Sequence, residues 1–237
     1  TVFQTNSLPL TLLQRYAPLL PSLHTKQQEL ITQTEPAGRL NAVHVEIGDE
    51  GKIRATADIE DAQFLPWKRY PGVSGLNGHF VMNGSAAEFV VDSQDLVMTW
   101  PHVFRQPLAM ERVSGSVLMN KLHEQWRITL NPLEIANKDI QATLSFDSWI
   151  ASGESPLLSL QAQFKNIPAA AVAAYLPANV MKQTAVRWLD NAFSDGRIVT
   201  GRALLHGRLA EFPFRQRHGH FEVEFDSEDV TLNYQDK

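Results

Sequence analysis

The chain has no cysteine, which removes disulfides, thiolate metal sites and cysteine nucleophiles and leaves its compartment open. It also lacks a basic excess. Its 21 Lys and Arg stand against 26 Asp and Glu, a formal net charge of −5 spread along the chain, which argues against nucleic acid as a partner. Long hydrophobic runs are missing: no window approaches the roughly 18 apolar residues of a membrane span. The opening "TVFQTNSLPLTLLQRYAPLL" has neither the basic start nor the continuous apolar centre of a secretory signal, so a soluble chain is expected. A G-x-S-x-G elbow, a P-loop and a dinucleotide fingerprint are absent as well. With 237 residues there is ample chain for a buried core. The abrupt start at Thr1 and the finish on "NYQDK" lead us to expect an excerpt of a longer protein.

What is present is alternation. After a helical opening read from Leu12, Leu13, Tyr16, Leu19 and Leu20, and a second helix beginning at Thr25, apolar residues recur at every second position from Leu40 onward. Val43, Val45 and Ile47, then Ile53, Ala55, Ala57 and Ile59, flank the turn "GDEG" and read as a hairpin. Similar sets follow as far as Phe164, and again at Phe221, Val223 and Phe225, then Val230, Leu232 and Tyr234. About eight to ten short strands in succession point to an antiparallel meander rather than βαβ units. Each has one apolar face and one carrying residues such as Glu46, Arg54, Glu88, Arg127 and Gln163. A helical interlude opens at Asn166 and Pro168. Its second part carries Met181, Ala185, Trp188, Leu189, Ala192 and Phe193 on one stripe, which predicts a brace or plug for the sheet, and Gly196 reads as its C-terminal cap. The divisions expected are a helical segment over 1–38, a β section over 39–165, a helical insertion over 166–195 and further strands of the same sheet over 196–237.

Candidates for chemistry are few. In "RIVTGRALLHGRL", Ile198, Thr200, Arg202, Leu204 and His206 share one face, which reads as a solvated strand face. His218 and His220 have no third ligand at a recognisable spacing, so no metal is expected. The acidic pairs Glu60–Asp61 and Glu228–Asp229 sit in turn-like segments, where carboxylates serve the backbone. Trp67, in "FLPWKRYPG" with Lys68 and Tyr70, belongs to a loop where a contact with protein or glycan is conceivable. Periodicity leaves two architectures open. Two apolar faces can close on each other in a dry sandwich, or one sheet can curl into an open trough whose apolar face meets acyl chains.

The succession "YPGVSGLNGHF", "LVMTWPHVFRQPLAMERVSGSV", "EQWRITLNPLEIANKDIQATLSF" and "AYLPANVMKQTAVRWLDNAFSDGRIVTGRALLHGRLAEFPF" resembles the YhdP family of AsmA-like proteins. Its most specific element is "YLP", then "WL", Gly196 and "G-x-L-x-x-FPF". The resemblance implies a mainly β fold, an antiparallel meander curled into an open apolar groove. It further implies a middle section of an inner-membrane-anchored periplasmic bridge of Gram-negative bacteria, carrying phospholipid acyl chains towards the outer membrane without enzymatic chemistry or cofactor. Contact with the two membranes would fall to parts outside this chain. The residues then expected to line the groove are Val43, Val45, Phe80, Phe89, Val91, Leu96, Met98, Val117, Ile128, Leu130, Ile140 and Leu144. The runner-up is a closed β scaffold or binding module for a protein or glycan of the cell envelope, and a β-sandwich hydrolase ranks below it.

Overall fold

In the computed structural model the described residues are 1–17, 25–48, 51–192, 195–212, 214, 216 and 218–231. Leu19, Leu20, Phe193, Leu232 and Tyr234 lie outside them. The described strands form one eleven-stranded antiparallel sheet whose spatial order is the chain order, β1 to β11. The strands are β1 (Val2–Pro9), β2 (Ala37–Ile47), β3 (Ile53–Phe64), β4 (Gly72–Asn83), β5 (Ala86–Thr99), β6 (Leu108–Leu122), β7 (Gln125–Ala136), β8 (Gln141–Ala151), β9 (Leu157–Pro168), β10 (Arg197–Arg208) and β11 (His220–Glu228). No second sheet faces it among the described residues, which removes the sandwich alternative.

The mainly β meander stands as expected, with differences at particular elements. Residues 2–9, inside the stretch read as helical, form an edge strand on β2, with Phe3 opposite Val45 and Thr5 opposite Val43. Only then come the helices α1 (Thr11–Tyr16) and α2 (Thr25–Gln33). The insertion between β9 and β10 holds a short 3-10 turn (Ala169–Ala171), α3 (Val172–Tyr175) and α4 (Gln183–Ala192). Val230 lies beyond the end of β11. Because hairpins alternate ends, α1, α2, α3 and α4 all lie at one end of the sheet, with the 65–71, 100–107 and 137–140 connections. The 84–85 and 123–124 turns lie at the other.

The strands are not regular along their length. Non-glycine residues with left-handed backbone occur inside them at Ala42 (φ 47°), Asp61 (φ 46°), Asp95 (φ 54°) and Asn166 (φ 62°), and glycines add more, Gly75 (φ 73°) among them. Pairing slips by a residue near Ala42 and Asp61, and by two between β4 and β5 around Gly75. A bulge adds one residue and bends the strand. Side chains take over the backbone groups it leaves unpaired. The Asp61 amide donates to Asn77 Oδ1 (2.9 Å), and the Asn77 amide donates to Ser93 Oγ (2.8 Å), whose hydroxyl donates back to the Asn77 carbonyl (3.0 Å). Ser93 is fully buried. The core sits along this line: Val91 and Val113 on one side of the bend and Leu96 and Met110 on the other form one buried cluster, flanked by Val73, Leu76, Phe89, Met98, Leu133 and Ile135.

Candidate functional site

Directly paired strand residues share a face, so the register defines both faces of the sheet. One row reads Ala57, Phe80, Phe89, Val117, Leu130, Phe146, Leu160, Leu205 and Phe221, each opposite the next. It crosses nine strands, about 38 Å at ~4.8 Å per strand, without one polar side chain. The neighbouring row runs Phe3, Val45, Ala55, Met82, Ala87, Met119, Ile128, Ser148, Leu158 and Gly207. Ser148 is its one polar member, buried, with no partner for its hydroxyl among the described residues. Large rings on this face rest over glycines. A Cβ at Gly78 would strike the Phe89 ring, and one at Gly201 the Phe164 ring.

The opposite face is polar and ionic. Cross-strand pairs join Arg54 to Glu46 (3.5 Å), His79 to Asp58 (2.7 Å), Arg127 to Asp147 (2.6 Å) and Arg202 to Glu224 (2.7 Å). A cavity of about 820 Å³ lies against β6 to β11, lined mostly by residues of this face such as Arg112, Glu134, Lys165, Arg202 and Asp226.

The twelve residues expected in the groove can now be placed. Val43, Val45, Phe80, Phe89, Val117, Ile128 and Leu130 lie on the apolar face on the turn side of the bulges. Val91 and Leu96 are buried in the core along the bend, with Met98 packed on them. Leu144 pairs with Leu133 and Ala162 on the same face, whereas Ile140 precedes β8 and sits in a turn whose amides bond to Asn137 Oδ1. Odd-numbered Val91 and even-numbered Leu96 reach the same buried cluster because the left-handed backbone at Asp95 (φ 54°) interrupts the alternation between them. Ala57, Phe146, Leu160, Leu205 and Phe221 complete the row. All five belong to stretches whose alternation was legible, but register was needed to align them.

Other candidates resolve as structure. Thr200, Arg202, Leu204 and His206 lie on the polar face as expected, whereas Ile198 does not. A slip between Ile198 and Thr200 turns it to the apolar side, buried opposite Ile167. Gly196 (φ 83°) stands four residues past the end of α4, and its reason is contact: a Cβ there would strike the backbone of Glu228 and Asp229. His220 Nε2 is 2.8 Å from Glu222, a bond that holds the Glu222 carboxyl below its usual range, while His218 faces Glu211 at 3.5 Å. No three potential ligands gather as a metal site among the described residues. Trp67 and Tyr70 exchange backbone bonds across a tight turn and stack, and Lys68 lies over Trp67 and pairs with Glu29, fastening this loop to α2. Trp188 is 39% exposed rather than braced against the sheet, and Val186 and Ala192 are the buried members of α4. Trp100 sits past the end of β5, donating its indole N–H to the Arg69 carbonyl.

No described helix is long and apolar enough to cross a membrane. A single open sheet with one predominantly apolar face defines a β protein whose distinguishing feature is a surface. The chain belongs to the YhdP protein family, which it matches over residues 1–237. It is 22% identical over 224 residues to the intermembrane phospholipid transporter YhdP of Escherichia coli (strain K12), a match covering 93% of this chain and 18% of that relative. No solved structure matches it.

Proposed function

We propose that this chain is a section of a periplasmic, inner-membrane-anchored bridge along which phospholipid acyl chains pass towards the outer membrane, without catalysis, on the apolar face of the sheet. The observation that carries the reading is the row from Ala57 to Phe221, apolar at nine successive strands and facing no second layer among the described residues. Each methylene kept from water is worth about 0.8 kcal/mol, so a continuous apolar strip lowers the cost of moving an acyl chain through an aqueous space. A strip of similar contacts holds cargo without trapping it at one point, which transport requires. The name of the Escherichia coli relative supports the same cargo. The residues assigned to the path are those on the turn side of the bend, Val43, Val45, Phe80, Phe89, Val117, Ile128 and Leu130, together with Phe146 and Leu160. Val91, Leu96 and Met98 serve as its floor.

The test is mass spectrometry of lipids extracted from the chain purified without detergent, beside Leu130→Asp and Phe146→Asp. Phospholipid carried by the wild type and lost from folded variants is the expected result. A lipid-free wild type that also takes up none from vesicles would overturn the reading.

A further inference from the structure

Away from the bulges, the pairing places one charged side chain on the apolar face of the described strands: Lys121, near the end of β6. It is exposed and its ammonium has no partner among the described residues. Directly opposite on β7 is Trp126, 40% exposed, whose indole N–H also has no partner among them. Cross-strand neighbours on one face stand with Cβ atoms about 5 Å apart. Moving inward from this pair, the same two strands present Met119 opposite Ile128, then Val117 opposite Leu130, so a cation and an amphipathic ring cap an apolar ladder. Just beyond lies the turn of His123 and Glu124, and neither makes an ion pair with Lys121. The far end of the sheet carries the helices, so this is the end with short turns where a polar group can remain in water.

We propose that Lys121 and Trp126 form a station for the phosphate of a phospholipid whose acyl chains lie on Met119, Ile128, Val117 and Leu130. This rests on the conducting-surface reading and adds where the headgroup sits. The ammonium supplies charge-assisted donors to phosphate oxygens, and the indole, apolar in body with one N–H, suits the boundary between chain and headgroup. The same chemistry would accept free inorganic phosphate, and the bland role for a strand-end lysine is to keep an apolar edge from aggregating.

The full chain is incubated with vesicles of dioleoylphosphatidylglycerol carrying a minor share of dioleoylglycerol, re-isolated, and its bound lipids quantified against vesicle composition. The two lipids share their chains and differ in the phosphate. The wild type should favour the phospholipid about fivefold, K121Q should fall near parity, and K121E should fall to or below it while remaining soluble. Glutamate preserves an anti-aggregation charge, so a preference that survives in K121E overturns the station. Equal uptake of both lipids by the wild type overturns it while leaving the conducting surface intact, and uptake of neither removes both. Inorganic phosphate alone should leave the phosphorus resonance unshifted and the preference unchanged. Binding without chains would make this a free-phosphate site and overturn the proposal as stated.

Discussion

Single side chains divide between those that hold the bend and those that face outward from it. Ser93 belongs to the first group: buried, and bonded to both backbone groups of Asn77. Ser93→Ala leaves those groups unpaired and should cost about 1–3 kcal/mol, read as a lowered urea midpoint with unchanged slope. The same contrast applies to added charge. Val91 lies in the buried cluster, so Val91→Asp should destabilise the fold by several kcal/mol. Leu130 is only half-buried and faces no second layer among the described residues, so Leu130→Asp should shift the thermal midpoint little while abolishing lipid retention. Equal loss of stability in both variants would mean the row is dry core. The glycines of "YPGVSGLNGHF" fit this frame: Gly75 takes the left-handed position of a bulge, and Gly78 leaves room for a ring.

Among the elements, the insertion between β9 and β10 is fastened across the sheet end by polar contacts. Arg105, in the connection after β5, makes two 2.8 Å bonds to the Asp190 carboxylate on α4 and a third to the Ala173 carbonyl on α3. Asn179 donates to the carbonyls of Pro101 and Phe104, and Asn137 bonds to the Tyr175 hydroxyl. The hydrogen bond from Arg105 holds the Asp190 carboxyl below its usual range. A depressed carboxylate contributes stability at pH above its unfolded value and loses it as pH falls through the folded one. Amide exchange in α4 should therefore quicken, relative to its intrinsic rate, as pH drops below about 4. Arg105→Ala should make that exchange fast already at neutral pH and erase the pH step. Both groups are about a third exposed, so the effect should be about 1 kcal/mol or less and shrink in high salt.

How far each element was legible follows from burial. β2 and β3 were readable because Val43 to Ile59 alternate on a half-buried sheet. β1 was not, because an exposed edge strand with Pro9 at its end needs no such pattern. Asn166, beside the partner of Ile198, gave no signal of its left-handed backbone, since the same residue also read as a helix cap, and that hid which side Ile198 would take. Alternation is also identical for a face that meets another sheet and one that meets none. The candidate residues could be read from sequence, but the openness of the surface they form could not.

At the scale of the whole sheet, every described strand pairs only with its neighbours in sequence, so stability should be graded along the sheet rather than uniform. Hydrogen exchange under native conditions should protect β5 and β6, which carry the buried cluster, most strongly, and β1 and β11 least. Uniform protection across all eleven strands would argue for a single cooperative unit. Identical spatial and chain order also makes the sheet a ruler. One more hairpin inserted at a turn adds two strands and about 10 Å, and disturbs no existing partner except the pair it separates. The distance such a protein spans can thus be set by counting hairpins, one duplication at a time, with each addition carrying its own stretch of the apolar face.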